Sequence, residues 1–403
     1  MNNLPLIAPP PRATLQMEGG RSIAFRGGTA HFVVGAEGLK QRAEWTAAFA
    51  RTCKDHRFYE IIEQTLDSGF EHHYALLEDD AGEVLAIQPL FFVQQNLVEG
   101  VPALRAPVEA VRRHYRRFLT MRILMVGCAA GEGHLGLRQP EDAAWAAEAL
   151  HEVLKPYAQS CSASLVVLKD FPAPYRGTLG TFSSNGYTRV PSMPMTRLRL
   201  PYRDFEEYFQ TLSKATRKDM RRKFRKAEKS APLQMEVVTD VSDIVDEIYP
   251  LYRQVHDRSA QKFEHLTHDY FSRLGQQMPE RTRFFLWRQH GRLVAFSLCL
   301  LHDGTLYDDT LGMDYSVALD LHLYFYTWRE VVSWAIAQGL DSYCSSPLNY
   351  NPKLHLGCEL VPLDLYVMHT KPLLNPVFRG ALKYLGPTRH DPLLQRFPNA
   401  HEL

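Results

Sequence analysis

The pattern of apolar and polar positions predicts two successive runs of helices and strands. In the first run, apolar residues recur at helical spacing from Glu44 to Leu66, with a break near Asp55. Two strands then flank a turn at Ala81 and Gly82. A third strand leads into a glycine-rich turn, and a helix and a closing strand follow. The predicted order is therefore helices, strand meander, helix and strand.

The second half of the chain repeats this order. Helical spacing over residues 244–259 and 268–278 precedes a meander over 283–314. When the sequences of the two meanders are aligned, Gly82 matches Gly291. Repeats of this length indicate duplicated modules. We place the boundary between the modules in residues 193–202.

The predicted functional centre is the segment Gly304–Gly357. It combines the strand LYDDTLGMD, a helix from Leu321 to Gly339, the strand DSYCS and a polar loop. A helix N-terminus beside polar strand ends is a frequent position for an anionic ligand in α/β proteins. The loop residues are Ser345, Ser346, Asn349, Tyr350, Asn351, Lys353 and His355.

A basic segment lies between the halves. Leu212, Thr216, Met220 and Phe224 recur every fourth position and predict a helix with a narrow, mostly apolar stripe. From Lys214 to Lys229 there are nine basic residues and two acidic ones. The segment is either a solvated helix between domains or a face that binds a phosphate-bearing ligand, an acidic membrane or RNA.

Two modules of this order, joined by a basic segment of the form LSxxTRKxxRRKxRKAE, resemble the tandem GNAT-fold N-acyltransferases. More narrowly, the chain resembles the Fem-like acetyltransferase group, over roughly 44–369. Bacterial ceramide synthases are a further GNAT-like group to which it is similar. The resemblance implies an α/β (α+β) fold of two GNAT-like modules. Each would be a mixed, mostly antiparallel sheet flanked by helices.

On this basis we divide the chain into five parts. A flexible N-terminal arm is expected over 1–30, because these residues are rich in proline and glycine. The other parts are a first domain (31–195), a basic linking helix (196–232), a second domain (233–370) and a C-terminal tail (371–403). The tail carries the basic residues Lys371, Arg379, Lys383 and Arg389.

The resemblance implies that an acyl group passes from a thioester to an amine, with acyl-CoA as co-substrate and with no bound cofactor or metal. GNAT proteins hold the pyrophosphate in a loop of the form [RQ]xxGx[GA]. The second half has MDYSVALDLHL there, without glycine, whereas the first half has Gly127, Gly131 and Gly133. These glycines would let backbone amides approach a phosphate, or they form a plain strand–helix turn. Which half binds CoA stays open.

Asp308 and Asp309 are the first catalytic candidates, because two adjacent carboxylates are unusual within a strand. Neighbouring strand residues face opposite sides of a sheet. We expect one carboxylate to face the cleft, where it would bind the amine or act as the base. The alternative is a β-bulge or a paired buried charge.

Histidines supply the other candidate bases, since imidazole titrates near neutral pH. His355 would share a face with Lys353 if their segment is extended, and a structural role is the alternative. His322 lies at the start of a predicted helix, whose dipole would lower its pKa, and capping is the alternative. His256, between two helices, is a candidate for recognition of the amine.

The remaining candidates are polar or aromatic neighbours of these groups. Tyr350 is placed in the catalytic set, and Asn349 and Lys353 are predicted to bind substrate. Tyr324 belongs to an aromatic cluster in the first turns of the helix after residue 321. Such a cluster is either core or the lining of an acyl or lipid channel.

Composition limits the partners and the compartment. The net charge of +1 gives no reason to expect DNA binding. Six scattered cysteines without a CxxC pair argue against a zinc site or a disulfide framework and fit a reducing compartment. The N-terminus lacks the pattern of a signal peptide, and no apolar run is long enough to span a bilayer. We expect a cytoplasmic protein and leave open a peripheral position on the inner face of the membrane.

The leading function is therefore acyl-CoA-dependent N-acylation of a primary amine, with a lipid or sphingoid-type amine favoured by the basic and aromatic helices. An anionic membrane surface would then be a partner. The alternative enzyme is a Fem-like aminoacyl transferase that acts on a cell-wall precursor, for which the basic helix would contact tRNA. The non-enzyme alternative is a GNAT-like binding protein, because the glycine loop of the second half is missing.

Overall fold

The computed structural model describes residues 20–66, 69–96, 107–108, 110–111, 113–115, 120–230, 232–259, 263–385 and 391–403. Two β-sheets form its frame, one of eight strands and one of seven. The mixed sheets with flanking helices confirm the predicted α+β class. No helix in the described part of the chain combines the length and the apolar character needed to cross a bilayer.

The first sheet is antiparallel except for one central parallel pair, β5 with β6. In spatial order its strands are β1 (Arg21–Phe25), β2 (Gly28–Val34), β3 (Glu71–Asp79), β4 (Val84–Asn96), β5 (Thr120–Val126), β6 (Leu165–Pro172), β15 (Leu363–His369) and β7 (Thr188–Pro191). The predicted turn at Gly82 joins β3 to β4, and its φ of +78° is one that glycine adopts without strain.

The second sheet has the same plan, with the parallel pair formed by β12 and β13. In spatial order its strands are β14 (Glu359–Val361), β8 (Met195–Arg199), β13 (Ser342–Ser345), β12 (Thr305–Met313), β11 (Arg292–His302), β10 (Thr282–Gln289) and β9 (Gln234–Val238). The predicted meander is therefore β10, β11 and β12, and it turns at Gly291 and Gly304 as expected.

Helices cover both sheets and fill the space between the modules. They are α1 (Ala43–Ala48), α2 (His56–Thr65), α3 (Ala143–Ser160), α4 (Gly180–Ser184), α5 (Phe205–Thr211), α6 (Lys214–Ser230), α7 (Val245–His256), α8 (His268–Gln277), α9 (Tyr315–Ala318), α10 (Leu323–Ala337), α11 (Tyr350–His355) and α12 (Asn375–Leu385). Asp55 explains the predicted break, since its side chain caps α2 by accepting from the Arg57 N–H.

One continuous apolar core joins the two modules. Phe58 of α2 and Tyr270 of α8 lie edge to face, with ring centroids 6.3 Å apart, and both are buried. Edge-to-face aromatic pairs stabilise a contact beyond the area that they bury. The cleft between the modules is therefore built on a fixed contact.

The modules exchange a strand. By chain order β8 ends the first half, yet it lies in the second sheet between β13 and β14. Strand β15 ends the second half, and it lies in the first sheet between β6 and β7. The fully buried Asp364 of β15 accepts from Arg176 and Arg189, each at 2.6 Å, so two side chains of the first half hold the exchanged strand.

The ends of the chain differ from the expected arm and tail. Residues 21–34 form the β1–β2 hairpin of the first sheet, while residues 1–19 lie outside the described part of the chain. Beyond residue 370 the chain forms α12 and two short turns, in which Leu394 and Phe397 are buried. Apolar residues at helical spacing explain this packing.

The basic linking segment is helical, as predicted, with Met220 and Phe224 buried against the second module. Residues 196–232 also hold β8 and α5, so the link is more than one helix. Arg329 of α10 stacks on Phe224 at 4.4 Å and pairs with Glu228 at 2.8 Å. One face of α6 is therefore fixed to α10, and most of its basic side chains face solvent.

Candidate active site

A gap opens in the second sheet where two parallel strands diverge. Pairing between β12 and β13 runs from Thr305–Ser342 to Asp308–Ser345 and then stops. Strand β12 continues to Met313, whereas the chain after Ser345 turns towards α11. A cavity of about 970 Å³ occupies the gap.

The cavity passes through the sheet and is lined on both faces. On the face covered by α10 its lining includes Tyr324, Trp328 and Tyr343, which belong to the core of the second module. On the other face it includes Tyr252 and Leu266, which belong to the core shared by the two modules. We call these two parts the α10 arm and the inter-module arm. Two molecules entering from opposite faces can meet in the gap.

Asp308 lies at the gap on the α10 side. Its carboxylate accepts from the Ser297 hydroxyl and the Tyr343 hydroxyl, each at 2.5 Å. Burial raises the pKa of Asp308, although the two hydroxyl donors oppose part of that rise. A carboxyl group with a raised pKa can hold or release a proton nearer to neutral pH.

Asp309 lies at the gap on the inter-module side, where it is the extra residue of a β-bulge. Strand β11 pairs Cys299 with Asp308 and Leu298 with Thr310, so Asp309 is skipped. Its Oδ1 lies 3.0 Å from the Lys54 ammonium. The two adjacent carboxylates thus face opposite sides, and both line the cavity because the cavity runs through the sheet. The bulge and the paired charge, which we held as alternatives, are both present.

Lys54 of the first module is the cation at the centre of the inter-module arm. Besides Asp309, its ammonium lies 3.6 Å from Glu132, 3.2 Å from the Ala130 carbonyl and 5.0 Å from the Phe58 ring centre. Burial alone would lower the pKa of Lys54, but the two carboxylates raise it well above its usual value. Lys54 therefore stays charged and links the modules.

Glu132 shares this cluster. Burial would raise the pKa of its carboxyl group, but the Lys54 ammonium, assisted by His134, holds that pKa far below the usual range. Glu132 is therefore an anion at any physiological pH. Its negative charge is already matched by Lys54, so it has little capacity to take a proton from a substrate.

Glu264 is the carboxyl group of this arm whose pKa is raised. Burial is the main cause and the charge of Asp309 adds to it, while Lys169 acts in the opposite direction. The Lys169 ammonium lies 2.6 Å from Asp170 and donates to the Gly131 carbonyl at 3.0 Å. Glu264 therefore combines partial burial, a place on the cavity wall and a raised pKa.

Lys353 is a buried lysine on the cavity wall, and its partner is a backbone carbonyl. It donates to the Ser346 carbonyl at 2.5 Å. Burial lowers its pKa to about 8, and the charge of Asp308 offsets only part of this effect. The segment is helical rather than extended, so Lys353 points inward and His355 is exposed. The condition under which the two would share a face, an extended segment, is therefore not met.

Tyr350 and its neighbours divide between structure and cavity. Tyr350 is buried away from the cavity, donates to the Pro194 carbonyl at 2.8 Å and packs on Phe397. This position corrects its placement in the catalytic set. Asn349 has a left-handed φ of +49° and lines the cavity, as does Tyr324. Asn349 and Tyr324 were predicted to contact substrate, and both lie where they could do so.

The two histidines of the cavity wall lie on different faces. His322 precedes α10 with a φ of +49°, and its pKa is lowered, mainly by burial and then by Lys226 and Lys223 of α6. The pKa of His322 is lowered, as expected, but the causes are burial and nearby cations and not the helix dipole. His256 lines the inter-module arm, with its ring centre 5.1 Å from that of His265.

The first module fills the equivalent gap with its own loop. The Gly133 N–H donates to the Asp170 carbonyl at 3.0 Å, so this loop inserts where β5 and β6 diverge. A β-carbon at position 133 would lie 2.4 Å from the Lys169 carbonyl oxygen, and one at 127 would lie 3.1 Å from the Gly133 α-carbon. Close packing therefore accounts for Gly127 and Gly133 without a phosphate, and Gly131 alone of the three lines the cavity.

Sequence reasoning missed Lys54, Glu132 and Lys169 as members of the site. Lys54 lies in the break between two helices, directly before the capping residue Asp55. A lysine at such a position is expected to be exposed to solvent. Its partner Asp309 is 255 positions away in the chain. Only a three-dimensional arrangement brings such groups together.

Several solved structures are similar to this chain. L-PGS from Bacillus licheniformis is 11% identical, with a TM-score of 0.50 over 86% of this chain and 96% of that one. FemX is 12% identical, with a TM-score of 0.49 over 82% and 97%. A tandem GNAT protein from the clavulanic acid biosynthesis pathway is 12% identical, with a TM-score of 0.46 over 85% and 99%. Among curated protein sequences none matches the chain.

The family is shown by a sequence model rather than by these distant structures. The FemAB-like model, described as peptidoglycan biosynthesis/recognition, matches residues 39–346. This range contains most of both modules, the basic helix α6 and the two strands that form the open gap. The chain, with its tandem GNAT-like modules and its open second gap, therefore belongs to the FemAB-like family.

Proposed function

We propose that the protein is an N-acyltransferase that moves an acyl group from a thioester to a primary amine within the cavity. The observation that carries this proposal is the gap between β12 and β13, with Asp308 on one side and Asp309 on the other. A donor entering by the α10 arm and an acceptor entering by the inter-module arm would meet there. Holding two reactants in contact removes much of the entropic barrier to their reaction.

The acceptor amine would be bound and deprotonated in the inter-module arm. An alkyl ammonium ion is not a nucleophile, so it must lose a proton before it attacks. Asp309, with one carboxylate oxygen paired to Lys54, would attract the ammonium group. Glu264, whose pKa is raised by burial, would accept the proton. The neutral amine then attacks the thioester carbonyl.

The leaving thiolate would be protonated in the α10 arm. Lys353, with a pKa lowered to about 8, is close in acidity to an ordinary thiol. A donor and an acceptor of matched pKa exchange a proton efficiently. Asp308, through its bonds to Ser297 and Tyr343, would keep the wall near Lys353 in place. Lys353 then gives one proton to the sulfur. The second N–H proton of the attacking amine, lost as the amide forms, replaces it through water, and Glu264 releases its proton to solvent.

The lining favours an apolar acyl group and an amphiphilic amine. Phe325, Trp328 and Val331 line the α10 arm, where an acyl chain would lie. Leu363 and Leu365 line the inter-module arm. Burial of apolar surface stabilises a bound chain by roughly 0.8 kcal/mol per methylene group. A sphingoid-type or other lipid amine suits an arm that combines carboxylates with leucines.

Acyl transfer from long-chain acyl-CoA to a sphingoid amine, followed by mass spectrometry of the amide, tests the proposal. We expect Asp309→Asn and Glu264→Gln each to lower kcat/KM by about 100-fold or more. Asp269→Asn is the matched control, because this carboxylate is exposed on α8 and away from the cavity. Absence of any amide product with the wild-type protein and a range of amines and acyl-CoA lengths would refute the proposal.

An aminoacyl ester is the second candidate donor, and the basic face of α6 favours it. Lys223 and Lys226 of α6 are close enough to His322, on the rim of the α10 arm, to lower its pKa. A row of cations beside a donor arm suits a polyanionic carrier such as tRNA. Binding of aminoacyl-tRNA should then weaken steeply with salt, and Lys218→Gln with Arg225→Gln should reduce that slope by about 2. Salt-independent or undetectable binding would leave the thioester as the donor.

A further inference from the structure

The C-terminal helix α12 and the turn before it expose three large apolar side chains within five residues. The exposed fractions are 91% for Leu373, 45% for Leu374 and 69% for Val377. The opposite side of the same helix packs inward through Phe378 and Leu382. Single exposed apolar residues are ordinary, but a contiguous group indicates a contact surface.

The same segment carries only positive charge. Between His369 and His390 the sequence has no acidic residue, and its basic residues are Lys371, Arg379, Lys383 and Arg389. The side chains of Lys371 and Arg379 are exposed beside the apolar group. Exposed leucine and valine flanked by lysine and arginine are typical of helices that lie in the interface of an anionic bilayer.

We propose that α12 and the preceding turn dock this protein on an anionic membrane surface. Leu373, Leu374 and Val377 would enter the boundary between headgroups and acyl chains, and Lys371 and Arg379 would contact the lipid phosphates. A second copy of the chain is a poorer occupant. In a two-fold dimer the same patch meets itself, and this would bring like charges together in the contact.

The docking surface is continuous with the cavity wall. Phe378 and Leu382 of α12 pack on the core that contains Val167 and Leu365, and these two residues line the inter-module arm. The helix therefore covers the same face of the first sheet on which that arm opens. If the proposed function holds, an amphiphilic amine would pass from the membrane to the inter-module arm along this face.

Sedimentation of the full-length protein with lipid vesicles tests the docking without any assay of activity. Vesicles of phosphatidylcholine and vesicles rich in phosphatidylglycerol would be compared at low and high salt. We expect binding to the anionic vesicles that weakens with salt. The variant Leu373→Gln/Leu374→Gln/Val377→Gln should bind at least tenfold more weakly. Val34→Gln, a change at a 75% exposed valine on β2, should bind like the wild type.

A second variant separates charge from apolar contact. Lys371→Gln/Arg379→Gln should weaken binding to anionic vesicles by about tenfold and leave any weak binding to phosphatidylcholine unchanged. Thermal unfolding of each variant checks that the fold is intact. Equal vesicle binding by wild type and triple variant, or no binding by the wild type, would overturn the docking. So would a wild-type dimer in light scattering that the triple variant loses.

Turnover of a water-soluble amine distinguishes failure of the docking from failure of the proposed function. The triple variant should acylate such an amine at the wild-type rate, since none of the three residues lines the cavity. Vesicle binding without turnover of any amine would count against the proposed function alone. Turnover with no vesicle binding would count against the docking alone.

Discussion

The Lys54 ammonium of the first module lies 3.0 Å from the Asp309 carboxylate of the second. At the wall of the cavity Lys54 is buried and Asp309 is half-buried, and Glu132 lies 3.6 Å from the same ammonium. A residue of one module thus pairs with a residue at the open gap of the other. The two modules form one site, although each gap belongs to a separate sheet.

Removal of this cation should destabilise the protein strongly. Lys54→Met leaves Asp309 and Glu132 as neighbouring half-buried anions without their shared cation, and breaking a buried ion pair costs about 3 to 5 kcal/mol. Chemical denaturation would measure the change in the free energy of unfolding. Lys40→Met is the control, because Lys40 pairs with the exposed Glu37 and such surface pairs contribute less than about 1 kcal/mol. Equal losses for both variants would contradict the buried cluster.

Lys353 should make stability depend on pH in the alkaline range. Its pKa is about 8 in the folded protein and 10.5 in an unfolded chain, so the unfolded state binds more protons between these values. The free energy of unfolding should therefore rise with pH from about 8 to about 10.5, by roughly 3 kcal/mol. Below pH 8 the full cost of burying the charge is present. Urea unfolding at several pH values measures the slope.

The variant Lys353→Met tests this assignment in both stability and activity. It should lose the alkaline rise, which the exposed-site control Lys218→Met should keep. At pH 7 it should be at least as stable as the wild type, because no charge is buried. The kcat of Lys353→Met should fall. The wild-type rate should decline above about pH 8 as Lys353 loses its proton, and the variant should lack this decline. A decline of the same midpoint in Lys353→Met would contradict the role.

Gly133→Ala should destabilise the fold without a specific effect on thioester binding. The added β-carbon would meet the Lys169 carbonyl and the Phe171 ring, and this overpacking costs about 1 to 3 kcal/mol. Gly180→Ala is the matched control, since nothing lies within 4 Å and Gly180 is helical. That change should be neutral or stabilising by up to about 1 kcal/mol. A large rise in KM for acyl-CoA in Gly133→Ala alone would instead favour a phosphate loop.

Asp364→Asn should weaken the hold on the exchanged strand β15. It removes the charge that pairs with Arg176 and Arg189, and hydrogen bonds to charged groups contribute about 1.5 to 3 kcal/mol. Because β15 completes the first sheet, both modules should unfold in one transition at lower temperature. Glu359→Gln, which alters an exposed pair on the edge strand β14, should change little. Calorimetry that resolves two separate transitions would contradict this coupling.

The elements that local rules govern were predictable from the sequence. Alternating apolar residues around Gly82 and Gly291 identified the hairpins, and spacing of four residues identified α6. The family resemblance was confirmed as well. The α11 segment was misjudged, because six residues containing Pro352 give no helical period to read, and so His355 was placed on the wrong side.

Features that depend on distant contacts were not predictable. Nothing local distinguishes β8 or β15 from a strand that stays in its own module, so their exchange appears only in the sheet order. A bulge at Asp309 was considered as an alternative, but the ion pair between Asp309 and Lys54 was not predicted. Whether a gap is filled or open also depends on how a loop packs: the loop that contains Gly133 fills the gap between β5 and β6, and glycine content alone does not reveal this.

The exchanged strand has a consequence for synthesis of the chain. The first sheet has a vacant position between β6 and β7 until Leu363–His369 has left the ribosome. At about 5 to 20 residues per second, translation from Pro191 to Leu363 takes roughly 10 to 35 s. During that time the nascent first module exposes two strand edges, and unpaired edges promote aggregation. A ribosome-bound chaperone that shields strand edges should therefore improve the yield of this protein during its synthesis.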